Sequence, residues 1–256
     1  MTLHLVRMPL DLHALASFAA AHGIDDDDGG YALHRALRDR FGTAGPQPFR
    51  FLPDHRSGPH LLGYTADRPA LDDAGALPVA DDLLARVFDG PWQAQAMPEA
   101  WREGARYGFE VRVRPVVRFG KSIRAARSER AGAWQRSAGE IDAYVAAGER
   151  VVAAGGDARE VDREAVYIDW LARRLEGMAT LDMAGLRQFR RSRTRRSTHR
   201  PGGARTRAVE GPDAVMAGTL TVADHHAFAQ MLARGIGRHA AFGYGMLLLS
   251  APGRAG

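Results

Sequence analysis

Residues 224–250 read DHHAFAQMLARGIGRHAAFGYGMLLLS, and this stretch decides the fold of the second half of the chain. An amphipathic run leads into a glycine-dense loop and then into an apolar run, which predicts a helix, a loop and a strand. The loop contains Gly235, Gly237, Gly243 and Gly245. Glycine adopts positive φ without steric cost and lets a phosphate or another backbone come close. The pattern therefore predicts either a phosphate-binding loop or a glycine cap with a tight connection into the strand.

Basic side chains lie in the same loop. Arg234, Arg238 and His239 supply hydrogen-bond donors and positive charge within a few residues. Donors combined with an open backbone suit a polyanion better than a small metabolite. We therefore expect this loop to contact nucleic acid.

The composition favours the same partner. The chain has 256 residues, 45% of them hydrophobic, which is enough for one large domain or two domains with their own cores. Its formal charge is +5. Lys121 is the one lysine, so nearly all of the positive charge comes from arginine. Arginine binds phosphate bidentately and stacks on bases, although a GC-rich genome explains part of the excess.

Other classes are excluded by what the sequence lacks. The chain contains no cysteine, which rules out disulfides, thiolate zinc sites and cysteine nucleophiles. It shows no secretory signal and no apolar run near the roughly 18 residues that span a bilayer. We expect a cytoplasmic protein without membrane contact.

The order of the expected elements repeats in the two halves. Each half predicts strand, helix, two strands, helix and strand, the βαββαβ plan. The sequence thus predicts an α+β fold with two tandem ferredoxin-like (RRM-like) domains, at 1–119 and 161–256, joined by a basic helical insertion or linker at 120–160. The expected strands are 3–8, 49–52, 61–64, 109–119, a hairpin within 179–196, 215–222 and 242–249. The expected helices are 11–21, 31–41, 78–88, 161–175 and 224–232.

The helix at 31–41 carries a candidate catalytic face. Tyr31, His34 and Arg38 are spaced i, i+3 and i+7, so they lie on one side of the helix. Histidine is the usual general acid or base near neutral pH. The same spacing also fits half-buried residues of an ordinary amphipathic helix, and spacing alone leaves both interpretations open.

Four segments resemble the CRISPR repeat-processing endoribonucleases of the CasE type, from type I-E systems or their type IV relatives. GGYALHRAL at 29–37 resembles the family's catalytic helix, and FEVRVRPVVRFGK at 109–121 its central strand and basic loop. VYIDWLARRL at 166–175 resembles a helix of its second domain. The segment from 214 to 249 resembles its C-terminal strand, helix, glycine loop and strand, and is the most specific of the four.

The resemblance implies metal-independent cleavage of a precursor CRISPR RNA at the base of its repeat stem-loop. The ribose 2′-hydroxyl attacks the adjacent phosphate, leaving a 2′,3′-cyclic phosphate, or its opened form, and a 5′-hydroxyl. The family's catalytic pair maps onto Tyr31 and His34, and Arg38 would stabilise the phosphorane. We expect no cofactor and no metal: the acidic run at 25–28 is interpreted as a solvated loop that caps the next helix, and adjacent His225 and His226 point in different directions.

Three regions are expected to bind the RNA. The first holds nine arginines and no acidic residue between 187 and 207, which also fits a disordered basic loop that orders on binding. The second is the basic tract of Arg112, Arg114 and the residues that follow, and the third is the glycine loop. The candidate RNA-binding residues are Arg118, Lys121, Arg124, Arg127, Arg190, Arg191, Arg193, Arg195, Arg196, Arg234, Gly235, Gly237, Arg238, His239, Gly243 and Gly245. Aromatic residues that either stack on bases or belong to the core are Phe119, Trp134 and Tyr244.

The partners expected from this interpretation are the repeat stem-loop, the mature guide RNA and other Cas subunits of a surveillance complex. An alternative function is a non-cleaving RNA-binding subunit of such a complex. A small-molecule enzyme on the same scaffold has no cofactor motif to support it.

Overall fold

Two four-stranded antiparallel sheets form the framework of the chain. The computed structural model describes residues 2–25, 27–88, 90–118, 140–200 and 203–252, and the description excludes the side chains of 194–209. Each sheet has its own hydrophobic core. In the described part of the chain, every helix is too short or too polar to cross a membrane.

The first sheet has the strand order β2-β3-β1-β4. Its helices pack onto one core, which includes Val6, Phe18, Leu33 and Leu37. Two helices fill each crossover of the βαββαβ plan, so this half has one helix more per crossover than the minimal plan. The strands are β1 His4–Pro9, β2 Phe49–Leu52, β3 His60–Thr65 and β4 Gln93–Ala96. The helices are α1 Leu12–Ala21, α2 Gly30–Phe41, α3 Arg68–Ala76 and α4 Asp82–Val87.

The second sheet has the equivalent order, β10-β5-β9-β8. Its core includes Val111, Leu171, Met216 and Phe228. The strands are β5 Arg106–Val113, β8 Ala179–Arg200, β9 Gly203–Val222 and β10 Leu247–Ser250, and the crossover helices are α6 Arg163–Leu175 and α7 His225–Arg234. Between β5 and α6 lie the paired strands β6 Val116–Arg118 and β7 Glu140–Asp142, then α5 Ala143–Ala153. Both halves follow the ferredoxin-like plan, so the predicted fold class is confirmed.

The helix starts follow from local sequence. The Asp11 carboxylate accepts hydrogen bonds from the backbone amides of His13 and Ala14, at 2.8 and 3.0 Å, and so caps α1. Asp224 caps α7 in the same way through the amide of Ala227, at 2.8 Å, as the sequence predicts.

The predicted strand at 109–119 is divided in the structure. It ends as β5 at Val113 and resumes as β6 at Val116, because Pro115 cannot donate to a ladder. β5 pairs with β9 and β10 in the second sheet, whereas the sequence assigns this strand to the first half. The domain ranges themselves stay predictions, and the strand pairing favours a boundary between Ala96 and Arg106.

The arginine-rich segment forms a longer structure than expected. The sequence predicts a complete hairpin within 179–196, but β8 runs on to Arg200 and pairs with β9 down to Arg200 opposite Gly203. The residues at 201–203 are Pro-Gly-Gly, a sequence signal for a turn that lies beyond the predicted end. The long hairpin formed by β8 and β9 is called the arginine hairpin below.

Sequence patterns missed three elements, α3, β4 and the short strand β7, and misplaced the ends of others. α3 and β4 were not expected: α3 relies on an Asp67 cap that binds the Ala70 amide at 3.0 Å, and β4, QAQA, has weak strand propensity. α4 is shorter than the predicted 78–88. The last strand starts at Leu247 instead of 242, because Ala240–Phe242 forms a 3₁₀ turn. In the predicted insertion at 120–160, residues 120–139 lie outside the described residues, and 140–153 form β7 and α5.

Candidate functional site

The face of α2 that carries the candidate catalytic pair packs against the glycine loop. The Tyr31 and His34 rings lie 6.3 Å apart, centroid to centroid. Phe242, from the loop, stacks on Tyr31 at 5.9 Å and meets His34 edge-on at 5.1 Å. The two motifs that the sequence places about 200 residues apart thus form one site.

Gly30 allows this close approach. A Cβ built on Gly30 would lie 2.4 Å from the carbonyl oxygen of Phe242, far inside ordinary contact. Any side chain there would push the start of α2 away from the loop. Gly29 and Gly30 were placed in the segment that resembles the catalytic helix, and this contact was not predicted from the sequence.

His34 is half-buried and its pKa is lowered from 6.5. Burial is the main cause, the charge of Arg38 lowers the pKa further, and Asp39 partly opposes both. The imidazole is therefore neutral at neutral pH and able to accept a proton. Tyr31 is half-buried beside it, and Arg38 is exposed further along α2. The predicted catalytic residues are thus gathered on one helix, with a cation next to a base.

The glycine loop is stabilised by its own backbone hydrogen bonds. All four of its glycines have positive φ, between 77° and 81°. Gly235 caps α7, with its amide donating to the Met231 carbonyl at 2.8 Å, and the Ile236 amide donates to the Gly245 carbonyl at 2.8 Å. A Cβ on Gly245 would lie 2.3 Å from the Ile236 carbonyl oxygen. These contacts support the glycine-cap interpretation, and RNA binding by Gly235, Gly237, Gly243 and Gly245 stays a prediction.

The basic side chains of the loop differ in accessibility. Arg238 forms an ion pair with Glu140 of β7, and His239 Nε2 lies 3.4 Å from the other oxygen of that carboxylate. His239 is buried and has a φ of 71°, which is rare for a non-glycine residue. Arg234 is exposed. Of the three, Arg234 is the most available for RNA, while Arg238 and His239 anchor the loop to β7.

A buried ionic network lies behind the site. Arg112 of β5 donates to Asp28 at 2.8 Å and to both carboxylate oxygens of Asp213, at 2.8 and 2.6 Å. Tyr244 donates to Asp28 at 2.7 Å, and Arg190 of β8 donates to Asp213 at 2.7 Å. Burial raises the pKa of the Asp213 carboxyl, but the hydrogen bonds and charges of Arg112 and Arg190 lower it by more, so the pKa lies below its usual value. Asp213 is therefore able to ionise although it is buried.

This network corrects two predictions from sequence. Asp28 belongs to the acidic run that was expected to be solvated, yet it is buried; the N-cap of α2 is Gly29, and Asp28 accepts a hydrogen bond from the Gly30 amide that follows. Arg112 and Arg114 belong to the expected RNA-binding tract, but both are buried; Arg114 donates to the carbonyls of Pro212 and Ser192. Both arginines were expected to bind RNA, whereas they donate to carboxylates and carbonyl oxygens of the protein itself.

The arginine hairpin lies beside the start of α2. The Asp27 carboxylate accepts a hydrogen bond from the backbone amide of Arg193, at 3.2 Å. Arg190, Arg191 and Arg193 are exposed, and Arg191 pairs with Glu210 across the hairpin at 2.7 Å. The backbone of β8 continues through the next two candidate residues, Arg195 and Arg196. Their side chains are not among those that the structure describes.

The remaining candidates are scattered or lie outside the described residues. Arg118 is exposed at the end of β6. Tyr244 is buried in the core, which fits the core alternative rather than base stacking. The candidates outside the described residues are Lys121, Arg124, Arg127, Phe119 and Trp134.

The acidic and histidine residues give no metal site in the described ranges. No group of three His, Cys, Asp or Glu side chains there could hold an ion. His225 and His226 were expected to point apart, but their rings lie 4.1 Å from each other, and His225 pairs with Glu103 at 3.0 Å.

Sequence reasoning missed Asp28, Asp213 and Phe242 as parts of the site. Asp213 is the one acidic residue in the apolar segment PDAVMAG, and an isolated aspartate of this kind indicates a buried ion pair. Phe242 carried no distinguishing pattern, because a loop aromatic becomes informative only when its contacts are known.

Two βαββαβ sheets with helices on them define a protein with tandem ferredoxin-like domains. The chain belongs to the CRISPR associated protein family, whose model matches residues 3–251. No curated protein matches the chain significantly in sequence.

Solved structures with the same fold include CRISPR endoribonucleases. One is the CRISPR endoribonuclease Cse3 bound to a 19-nucleotide RNA, 20% identical, with a TM-score of 0.60 over 98% of this chain and 100% of that one. Thermus thermophilus Cse3 bound to an RNA representing a pre-cleavage complex is 19% identical, with the same TM-score and coverage. Cas6e from Escherichia coli K-12 is 17% identical, with a TM-score of 0.52 over 98% and 100% of the two chains. At these identities the likeness establishes the fold.

Proposed function

We propose that this protein is a metal-independent endoribonuclease that binds the stem-loop of a CRISPR repeat and cleaves precursor CRISPR RNA. The observation that carries the proposal is the meeting of Tyr31 and His34 with the glycine loop, beside the arginine hairpin. Proteins of this fold that bind RNA, including the two Cse3 structures, support the assignment.

The reaction needs a base, an acid and a positive charge around one phosphate. A base removes the proton of the ribose 2′-hydroxyl, whose oxygen then attacks phosphorus. The P–O bond to the 5′-oxygen breaks, and that oxygen takes up a proton. His34 is neutral at neutral pH, which fits the base, and its imidazolium can later return a proton. Because the nucleophile is part of the substrate, no metal-activated water is required.

Tyr31 and Arg38 complete the site. The Tyr31 ring lies beside both His34 and Phe242, at 6.3 and 5.9 Å, and orients the ribose or the proton that passes to the leaving group. Arg38 is exposed on the same face of α2 and stabilises the charge that develops on the phosphorane oxygens. The products are an RNA ending in a 2′,3′-cyclic phosphate, or its opened form, and an RNA beginning with a 5′-hydroxyl.

The RNA stem binds along the arginine hairpin. Arg190, Arg191 and Arg193 are exposed there, and the strand continues toward further arginines. Guanidinium groups along an extended hairpin can bind the phosphates that line the deep groove of A-form RNA. Arg234 and Arg118 add exposed positive charge on the second domain.

We further propose that the protein remains on the mature guide RNA as part of a surveillance complex with other Cas subunits. A chain in a CRISPR RNA-guided surveillance complex shares this fold at 19% identity, with a TM-score of 0.54.

The test is cleavage of the cognate repeat RNA in EDTA. Wild-type protein cleaves it, and His34→Ala retains RNA binding while losing most of the cleavage. The matched control is His13→Ala, which removes an exposed histidine from the neighbouring helix α1 and leaves cleavage unchanged.

Two results would contradict the proposal. Cleavage that stops in EDTA would show that a metal is required. A wild-type protein that binds the repeat without cutting it would support the alternative, a non-cleaving RNA-binding subunit.

A further inference from the structure

One buried carboxylate joins the start of α2 to the second domain. Asp28 Oδ1 accepts a hydrogen bond at 3.0 Å from the amide of Gly30, the first residue of α2. Its Oδ2 accepts from Arg112 at 2.8 Å and from the Tyr244 hydroxyl at 2.7 Å. The Asp28 side chain is 0% exposed, so these contacts form away from water. Both the position and the direction of the first turn of α2 depend on them.

Arg112 is itself fixed in orientation. Its guanidinium grips Asp213 with two parallel hydrogen bonds, at 2.8 and 2.6 Å, and lies 4.3 Å from the ring centroid of Tyr244. A planar bidentate pair stacked on an aromatic ring permits little rotation. The carboxylate of Asp28 therefore meets a rigid partner and not a mobile surface arginine.

The network also reaches the arginine hairpin. Arg190 donates to Asp213 at 2.7 Å while 48% of its side chain is exposed. The Ser192 hydroxyl hydrogen-bonds with the Tyr244 hydroxyl at 2.9 Å. The catalytic helix, the glycine loop and the RNA-facing hairpin thus share one set of hydrogen bonds.

Stability alone is a weak reason for such an arrangement. Buried ion pairs are often no more stabilising than apolar residues of similar size, since removing the charges from water offsets their attraction. What a satisfied network does provide is one fixed geometry. In this protein the network fixes the start of α2, the helix that carries Tyr31 and His34.

We propose that Asp28, Arg112 and Tyr244 are positioning residues for RNA cleavage, which hold α2 so that His34 faces the scissile phosphate next to the glycine loop. The inference rests on the proposed function. None of the three side chains has to touch RNA, because all are buried. Their loss is expected to slow the chemical step and to leave RNA binding intact.

A pair of tyrosines provides a matched test. Tyr244 and Tyr167 are both 0% exposed, and the hydroxyl of each donates to a buried aspartate that binds a helix N-terminal amide. For Tyr167 the aspartate is Asp142, which caps α5 and not α2. Tyr244→Phe is expected to slow single-turnover cleavage at saturating protein about tenfold, because it loses one hydrogen bond to a charged group. The Kd for RNA is expected to stay unchanged. Tyr167→Phe is expected to cleave like the wild type.

The outcomes separate positioning from general stability. Equal slowing in the two tyrosine variants, or slowing that matches a loss of RNA affinity, would overturn the proposal. So would wild-type cleavage by Tyr244→Phe.

A second measurement does not depend on cleavage. Asp28→Asn keeps an oxygen for the Gly30 amide but loses the charge that Arg112 binds, so amide hydrogen exchange in the first turns of α2 is expected to accelerate. Asp142→Asn is the control and should accelerate exchange in α5 instead. Unchanged exchange in α2 of Asp28→Asn would refute the positioning role. If wild-type protein binds RNA without cleaving it, the proposed function fails, and the exchange result still decides whether the network holds the helix.

Discussion

Replacing Gly30 by alanine separates stability from catalysis. The added Cβ would lie 2.4 Å from the Phe242 carbonyl oxygen, whereas ordinary contact starts at 3.4 Å. The start of α2 and the glycine loop must therefore move apart by about 1 Å. The Cβ would also lie 3.1 Å from Asp28 Oδ1, so it crowds the oxygen that accepts the hydrogen bond from the Gly30 amide.

The two consequences differ in size. Alanine in a helix is favoured over glycine by about 1 kcal/mol, and overpacking of this kind costs about 1–3 kcal/mol, so the net loss of stability is small. A displacement of about 1 Å at a catalytic group lowers the rate by about 100-fold. Gly30→Ala is therefore expected to remain folded at assay temperature and to cleave far more slowly.

Single-turnover cleavage of the repeat RNA, measured together with thermal unfolding, checks this expectation. The matched control is Gly148→Ala in α5, where the added Cβ would lie 3.5 Å from the Ala158 Cβ, an ordinary contact. That variant should cleave like the wild type. If Gly30→Ala folds and cleaves at the wild-type rate, contact between α2 and the glycine loop is not needed for the reaction.

Two further predictions concern charge. Arg38→Ala is expected to raise the pKa of His34, because the charge of Arg38 lowers it; NMR titration of the ring measures the shift, and an unchanged pKa would contradict the account. If His34 is the base, the acid limb of the pH–rate profile lies below 6.5 and moves upward in this variant. Neutralising the arginine hairpin should weaken RNA binding and reduce the salt slope by about one unit for each lost phosphate contact, and an unchanged slope would exclude the hairpin from the interface. The hairpin residues changed together are Arg190, Arg191, Arg193, Arg195 and Arg196.

Local sequence patterns were sufficient for most elements of the fold. Asp11 and Asp224 mark helix starts, and the apolar spacing of α6 identifies its buried face, because caps and periodicity act within a few residues. β4 escaped detection because its strand character comes from pairing with β1 and not from its own residues.

The site depends on contacts that local patterns cannot contain. Tyr31 and His34 were found through a family motif on one helix. Arg112 was misread because its partners Asp28 and Asp213 are 84 and 101 residues away, so alternation along β5 gave no sign of burial. The same holds for Phe242, which reaches α2 only because the two domains pack together.

The proposed reaction at α2 uses the 2′-hydroxyl of the RNA substrate itself as the nucleophile. A repeat RNA with a single 2′-deoxy substitution at the scissile position tests it most directly, with the all-ribose repeat as the control. We expect the protein to bind both RNAs equally and to cut only the all-ribose RNA, leaving a cyclic phosphate and a 5′-hydroxyl. Cleavage of the deoxy-substituted RNA at the same position would contradict it, because another nucleophile would then be responsible.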